Sequence, residues 1–356
     1  MSEHAKFAPS SAHRWVACPG TIRMSEGIVE PESESALEGT IAHEVAECTL
    51  QGKPIRSDAT DEMIDGAIMY AEYIISVIGK EQQIHIEERV NGVHPENWGT
   101  PDAYTLTDTD LHIFDYKFGR GIVDPYRNWQ LLNYAAGIIG KTPDITIHLH
   151  IIQPRAYHRD GTCRSWSIIS QDSFRFFEQL GEAVMHAMRP DAKCFTGTHC
   201  EHCPGRYRCS ALLRCSYSII ERSGESLPLE IAVDVMGMLL VQVREGIDRL
   251  TAIESGLEQQ VLSALRAGAR VPGWHIETGA GRERWRVPYA EVVALGDAMG
   301  IQVRKDELIT PKQSVKAGLP RDLVDSFTEI PSGKAKIVRD DTRLAQVFGA
   351  PPSAVK

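Results

Sequence analysis

The sequence lacks the features that would assign it to a membrane, fibrous or disordered class. No apolar run approaches the roughly 18 residues that a membrane-spanning helix needs, and the mean hydropathy is −0.23. Internal repeats and low-complexity tracts are missing. The start, MSEHAKFAPSSAHRW, lacks the apolar core of a signal peptide, so we expect a reducing cytoplasm and no membrane partner.

An excess of positive charge is missing as well. The chain carries 38 Lys and Arg against 48 Asp and Glu, a formal net charge of −10. This balance argues against a protein that coats nucleic acid or acidic membranes through bulk charge, so any contact with DNA must be local. With 356 residues, 42% of them hydrophobic and 24% charged, the chain has an ordinary globular composition and the length of about two domains.

The cysteines are unevenly distributed. In a reducing compartment the eight cysteines should not form disulfides, and five of them crowd together: Cys194, Cys200, Cys203, Cys209 and Cys215. Within this group the spacing C-x2-C-x5-C allows three thiolates to converge on one soft metal centre. Cys194 or Cys215 would complete a four-thiolate zinc site.

Hydrophobic periodicity predicts an α/β core followed by a second module. Helical patterns cover residues 10–17, 35–50, 61–78, 126–139 and 173–188, and strand patterns cover 83–90, 103–107, 111–117, 145–153 and 164–169. Helices that precede and follow a central mixed sheet are typical of an α/β fold. The segment SGESLPLE precedes a long helical pattern over 229–267, so we expect a first domain of residues 1–218 and a mainly helical module of residues 219–356.

Four short stretches carry side chains suited to phosphodiester chemistry. They are EGTIAHEVAE with His43, GTPDAYTL with Asp102, IFDYKFG with Asp115 and Lys117, and WQLLNYA with Gln130 and Tyr134. Strand alternation points Asp115 and Lys117 to the same side, and i, i+4 spacing does the same for Gln130 and Tyr134 on a helix. Carboxylates suit Mg²⁺ or Mn²⁺, and a lysine can stabilise charge on phosphorus. Each stretch alone also fits a structural role as an ion pair, a turn or a packing contact.

The order of these motifs resembles the RecB/AddB-type branch of the PD-(D/E)XK nuclease superfamily over roughly the first 215 residues. The resemblance implies a restriction-endonuclease-like core with a central mixed sheet flanked by helices. It also implies that His43, Asp102 and Asp115 bind a catalytic Mg²⁺ or Mn²⁺ ion. The main-chain carbonyl of Tyr116 is implied as a further ligand.

The resemblance also implies roles for the remaining motif residues. Lys117 would assist the attacking water, and the helix that carries Gln130 and Tyr134 would support the site and the DNA backbone. The sequence departs from the commoner pattern in one respect, because the acidic residue of the third motif, Asp115, is Asp rather than Glu.

A second resemblance concerns Cys18, which lies in SSAHRWVACPG well before the other cysteines. This segment resembles the distant first ligand of iron–sulfur RecB-like nucleases, in which one cysteine precedes the nuclease core and three follow it. It implies that Cys18, Cys200, Cys203 and Cys209 hold a 4Fe–4S cluster, with zinc as the alternative.

Three basic residues near this cluster, Lys193, Arg206 and Arg208, could meet a phosphate backbone locally. The whole pattern predicts a metal-dependent DNA exonuclease that acts on linear duplex or single-stranded ends in phage or bacterial recombination. A single-strand annealing or recombination protein is a possible partner, and the chain could form an oligomer. Two alternatives remain open: a non-catalytic DNA-end-binding or recombination-partner module on a nuclease scaffold, and a zinc-stabilised interaction protein.

Overall fold

The computed structural model describes residues 5–28, 33–222, 233–280, 284–287, 289–303, 309–329 and 332–339. They divide into two compact units, Met1–Gly256 and Leu257–Lys356. The segment 223–230, on which the predicted domain boundary was based, lies outside the described residues, so the division after residue 218 stays a prediction. No described helix is both long and apolar enough to cross a membrane.

Each predicted helical pattern corresponds to a helix of the structure, and the structure adds α2, α7, α9, α10 and α11, which no pattern predicted. They are α1 (Ala12–Ala17), α2 (Thr21–Ser25), α3 (Glu34–Gln51), α4 (Asp61–Ile78), α5 (Trp129–Ile139), α6 (Ser170–Ala187), α7 (Ser210–Arg222), α8 (Val233–Arg266), α9 (Tyr289–Ala298), α10 (Pro311–Lys316) and α11 (Arg321–Phe327). Short 3₁₀ segments cover Pro9–Ser11, Thr198–His202 and Arg206–Arg208.

The strands also follow the predicted order. They are β1 (His85–Ile86), β2 (Val90–Asn91), β3 (Trp98–Gly99), β4 (Ala103–Leu106), β5 (Asp110–Tyr116), β6 (Thr146–Ile152), β7 (Cys163–Ile169), β8 (Trp274–Ala280), β9 (Arg284–Trp285), β10 (Thr328–Glu329) and β11 (Ser332–Arg339). The single strand predicted over residues 83–90 is instead divided into β1 and β2, which belong to different sheets.

A five-stranded mixed sheet forms the centre of the first unit. Its strand order is β1-β4-β5-β6-β7, with β5 and β6 parallel and the other neighbours antiparallel. Helices flank it, so the expectation of a mixed α/β fold with a central sheet is confirmed.

The two faces of the sheet are covered by different helices. Leu111 and Ile113 of β5 pack in a core with α1, α5 and α6, whereas Phe114 and Tyr116 pack in a second core with α3 and α4. Because alternate residues of a strand point to opposite faces, Asp115 lies on the side of α5 and Tyr116 on the side of α3 and α4.

Local capping explains where the helices near the site begin. Thr60 precedes α4 and its side chain accepts a hydrogen bond from Met63 N. Asn128 precedes α5, and its side chain accepts from Gln130 N and Leu131 N. Such caps satisfy backbone donors that have no partner within the helix. The cap at Asn128 therefore fixes the first turn of α5, which carries Gln130.

The second unit has its own small core, formed by Val292, Val293, Val303, Leu319 and Val324. Besides helices, it contains two antiparallel strand pairs, β8 with β11 and β9 with β10. The expectation of a mainly helical module did not include these strands, whose sequences show no strong alternation.

Candidate active site

Asp102 links the helical layer to the central sheet. Its Oδ1 atom lies 3.2 Å from Nδ1 of His43 on α3, and its Oδ2 atom accepts a hydrogen bond from the backbone N–H of Tyr116 at 2.6 Å. The Tyr116 ring packs edge-on against the His43 ring, with centroids 5.5 Å apart. The two predicted ligands His43 and Asp102 are therefore in direct contact.

Asp115, Lys117 and Gln130 form a closed hydrogen-bonded set beside this pair. Lys117 Nζ and Gln130 Nε2 each donate to Asp115 Oδ1 at 3.0 Å, and Lys117 Nζ also donates to Gln130 Oε1 at 3.3 Å. Asp115 is only 3% exposed. The structure therefore brings Asp115 and Lys117, at the end of β5, to Gln130 at the start of α5, as the sequence predicted.

Tyr134 contributes one turn further along α5, without a hydrogen bond to Asp115 among the described contacts. Its hydroxyl donates to the carbonyl of Thr100 at 3.0 Å, in the loop that leads to Asp102. A Cβ atom at Gly99 would lie 2.7 Å from Pro9 Cδ and 3.2 Å from the Tyr134 ring. Gly99 therefore allows this loop to pass close to the tyrosine, which holds it in place.

The acidic and basic groups of the site stabilise one another's charged forms and so shift one another's pKa values. Burial alone would raise the pKa of Asp102, but His43 and Lys117 hold it below its ordinary value. Burial would lower the pKa of His43 and of Lys117, yet the neighbouring carboxylates raise both. Lys117 therefore stays a cation at neutral pH. Burial raises the pKa of Asp115, although the charges of Lys117 and His43 act against this effect.

The donor types suit a hard divalent cation, although the ligand atoms of His43, Asp102 and Asp115 do not all lie within 4.8 Å of one another. Asp115 Oδ2 is buried and lies 2.9 Å from Lys117 Nζ, but it accepts no hydrogen bond with acceptable geometry among the described residues. A buried carboxylate oxygen with free lone pairs suits a metal ligand, and Asp102 and His43 supply a further oxygen and a nitrogen nearby. The contribution of the Tyr116 carbonyl stays a prediction.

Glu87 is an acidic residue near the site that the sequence patterns did not single out. It follows β1 with a positive φ of 50°, and its backbone N–H donates to the carbonyl of Asp102 at 3.3 Å. Burial raises the pKa of its carboxyl to about 7, with further contributions from Asp102 and Glu47. In the sequence, Glu87 is one of several acidic residues in an irregular strand pattern, and nothing there distinguishes it. The left-handed backbone at Glu87 and the pairing of β1 with β4 bring it beside Asp102.

The four cysteines predicted as cluster ligands, Cys18, Cys200, Cys203 and Cys209, are all buried. Burial raises the pKa of Cys18, and the neighbouring thiols of Cys203 and Cys209 raise it further. Burial also raises the pKa of Cys200, and the other three thiols add to this effect.

Cys194 lies in the same group as these four thiols. Burial, followed by the neighbouring Cys209 and Cys18, raises its pKa to about 12. The structure thus brings Cys18 and Cys194 near the later cysteines, but among the described residues no three of these sulfur atoms lie within 4.8 Å of one another.

The three basic residues predicted to contact DNA differ in their surroundings. Arg206 is 7% exposed and donates to the carbonyl of Cys203, while Arg208 donates to the carbonyls of Met24 and Glu26. These two arginines bind protein carbonyls around the cysteine segment. Lys193 is exposed and lines a cavity of about 810 Å³ that Arg23 and Arg214 also line.

Fold and site together define a mixed α/β protein in which a buried aspartate is hydrogen-bonded to a partly exposed lysine and glutamine, near a His–Asp pair. The chain belongs to the family described as "Protein of unknown function (DUF2800)", whose model matches residues 4–344.

Two solved structures are similar to this chain at a low level. "Crystal structure of SSO0001" is 15% identical, covers 59% of this chain and 89% of its own, and has a TM-score of 0.30. An alkaline exonuclease (LHK-Exo) from Laribacter hongkongensis is 14% identical, covers 49% of this chain and 90% of its own, and has a TM-score of 0.26. Similarity at this level supports no inference about this chain.

Proposed function

We propose that this chain is a divalent-metal-dependent deoxyribonuclease that removes nucleotides from DNA ends. The observation that carries the proposal is the buried Asp115, which is hydrogen-bonded to Lys117 and Gln130 and lies near enough to His43 and Asp102 for their charges to act on it. A structural ion pair on the surface has carboxylate oxygens that water can reach. Asp115 differs, because its Oδ2 atom is buried and accepts no hydrogen bond with acceptable geometry among the described residues. This combination supports hydrolysis of a phosphodiester more than simple DNA binding.

His43, Asp102 and Asp115 would hold the Mg²⁺ or Mn²⁺ ion, which would polarise the phosphate and activate water when bound. Lys117 remains protonated and would donate hydrogen bonds to the phosphate oxygens as negative charge grows on them. Gln130 fixes the side chains of Asp115 and Lys117 by hydrogen bonds to both, and Tyr134 fixes the loop before Asp102 by a hydrogen bond to Thr100. In the reaction, the water loses a proton to solvent as its oxygen bonds to phosphorus, the P–O bond to the sugar breaks, and the released sugar oxygen takes up a proton from solvent.

The test is cleavage of end-labelled linear DNA and of closed circular DNA by the full chain, with Mg²⁺, with Mn²⁺ or with EDTA. We expect loss of label from linear DNA only, and only with metal. Asp115→Asn should abolish cleavage because the amide cannot replace the charged ligand. Asp58→Asn, which alters an exposed aspartate paired with Arg56, is the matched control and should cleave at the parent rate.

Cleavage by Asp115→Asn at the parent rate, or cleavage in EDTA, would contradict the assigned site. Binding of DNA ends without cleavage under every metal condition would favour the non-catalytic end-binding module. A role in phage or bacterial recombination, alongside a single-strand annealing protein, is the setting in which such an end-directed nuclease would act.

We further propose that Cys18, Cys200, Cys203 and Cys209 hold a 4Fe–4S cluster. Their burial and mutual influence support a shared metal centre, and iron–sulfur clusters take four cysteine thiolates. Such a cluster would join the segment before α2 to the segment after α6. Zinc held by Cys200, Cys203, Cys209 and Cys194 is the rival arrangement, because Cys194 lies in the same group.

Visible absorption and metal analysis of anaerobically purified protein distinguish the two. The parent should be brown and contain iron, Cys18→Ser should lose the colour, and Cys194→Ser should keep it. Cys48→Ser, on α3 away from the group, is the control and should match the parent. Stoichiometric zinc that depends on Cys194 but not on Cys18 would replace the iron–sulfur assignment.

A further inference from the structure

Three histidines and an aspartate lie together where β5 and β6 begin. His112 of β5 pairs in parallel register with His148 of β6, and their rings stack with centroids 4.3 Å apart. His150 lies two residues beyond His148, and its ring centroid is 5.4 Å from that of His112. Asp110 occupies the first position of β5 on the same face. Such a row of imidazoles is unusual on a face that otherwise carries apolar side chains.

Three of these residues bring ligand atoms to one point. One ligand atom each from Asp110, His112 and His148 lies within 4.8 Å of the other two. His148 Nε2 is 3.0 Å from Asp110 Oδ1. Two imidazoles and one carboxylate are a common three-residue ligand set for Zn²⁺ and related transition metals, which then take water or a further ligand at an open position.

The surrounding contacts orient both imidazoles. His148 Nδ1 lies 2.8 Å from the Ser167 hydroxyl of β7, so its other nitrogen faces Asp110. His112 Nδ1 lies 3.1 Å from His150 Nε2, and His150 Nδ1 lies 3.0 Å from the Tyr73 hydroxyl. Hydrogen bonds of this kind to the second ring nitrogen commonly fix metal-binding histidines.

The cluster is accessible from solvent. The side chains of His148 and Asp110 are 24% and 38% exposed, which leaves a path for an ion from solvent.

This cluster is separate from the candidate active site. Asp110 and Asp115 are five positions apart on β5, about 17 Å along an extended strand. They also point to opposite faces of the sheet, because their positions differ by an odd number. The cluster therefore cannot share an ion with Asp115.

We propose that Asp110, His112 and His148 form a second metal site that binds one divalent transition-metal ion of the zinc class. Its nitrogen-rich ligand set separates it chemically from the oxygen-rich site at Asp115, which suits Mg²⁺ or Mn²⁺. This proposal does not depend on whether the chain cleaves DNA.

The test is calorimetric titration of the full chain with Zn²⁺ in the presence of excess Mg²⁺. Asp110→Asn and His148→Gln are compared with the parent and with His158→Gln. His158 is the matched control, because its Nδ1 is 3.6 Å from Asp160 Oδ2 but it belongs to no described group of three ligands. Because all four proteins keep the same cysteines, any zinc bound by thiolates cancels in the comparison.

We expect the parent and His158→Gln to bind one more equivalent of zinc than the two site variants, or to bind that equivalent at least tenfold more tightly. Zn²⁺ should also raise the melting temperature of the parent more than that of Asp110→Asn. Asp110 is partly exposed and its amide replacement keeps the same size, so this variant decides the outcome if His148→Gln does not fold. Equal zinc binding by all four proteins would overturn the proposal.

Discussion

Gln130 offers the sharpest test of how the candidate active site is held together. Gln130→Ala removes the amide that donates to Asp115 Oδ1 at 3.0 Å and accepts from Lys117 Nζ at 3.3 Å. Asp115 is 3% exposed, so water cannot replace the lost donor without entering the core. The carboxylate is left with Lys117 as its remaining hydrogen-bond donor among the described residues.

The expected magnitude follows from the charge of the acceptor. A hydrogen bond to a charged group contributes about 1.5–3 kcal/mol, and the longer bond to Lys117 adds less than about 1 kcal/mol. We therefore expect the free energy of unfolding to fall by roughly 2–3 kcal/mol. If the transition state for DNA cleavage loses the same 2–3 kcal/mol of stabilisation, kcat/KM should fall by about 30- to 160-fold.

The assay is urea unfolding in EDTA, followed by circular dichroism and extrapolated linearly to water. Gln171→Ala is the matched control, because Gln171 Nε2 also donates to an aspartate, Asp144, at 2.8 Å, but on the exposed surface. This control should lose less than about 0.5 kcal/mol. Equal losses in the two variants would refute the reasoning, since burial of Asp115 would then make no difference.

Three further predictions concern the surroundings of the site. Gly66→Ala should destabilise the protein by about 1–3 kcal/mol in urea unfolding, because the new Cβ would lie 2.5 Å from the Tyr116 hydroxyl; an unchanged midpoint would contradict this packing. Tyr134→Phe should cost about 0.5–1.5 kcal/mol and slow DNA cleavage, because it releases the loop before Asp102; unaltered cleavage kinetics would argue against this role. Hydrogen bonds from Arg155 hold the pKa of Glu38 below its ordinary value of 4.5, so this stabilisation is present above about pH 4.5 and is lost as pH falls through the lower folded-state pKa. Glu38→Gln should therefore lower stability by less than about 1 kcal/mol near neutral pH and by nothing in strong acid, and a difference that persists in acid would contradict the sign.

Local sequence patterns were sufficient for most of the secondary structure. The helix predicted over 61–78 is α4, and the strand predicted over 111–117 is β5 with a shift of one residue at each end. These patterns are local, because hydrophobic periodicity and capping residues act within one or two turns. The helix predicted from 126 begins at Trp129 instead, because Asn128 caps it.

Part of the candidate site was also readable from the sequence. Asp115 and Lys117 point to the same side of the sheet because alternate residues of a strand do so. Gln130 contacts both because α5 begins at Trp129, 12 residues after Lys117. The motif order then suggested which elements converge. Tyr134 holds the loop at Thr100 that leads to Asp102, and the expected support of the DNA backbone by this helix stays a prediction.

Other features depended on contacts between residues far apart in the sequence. Glu87 lies beside Asp102 because of a left-handed backbone and the pairing of β1 with β4, and neither can be inferred from composition. Arg206 looked like a surface cation but is buried at the cysteine segment, since burial depends on what packs around a residue.

The sequence by itself determined the longer helices and the main strands of the central sheet, the alternation that put His148 and His150 on one face of a strand, and the order of the acidic and basic motifs. The tertiary structure alone decided that His148 lies opposite His112, that Cys18 meets the later cysteines, and that Asp102 accepts a hydrogen bond from the end of β5. The physical reason is that strand register and chain reversal are set by the summed packing of distant segments, whereas periodicity and capping are set by neighbours in the chain.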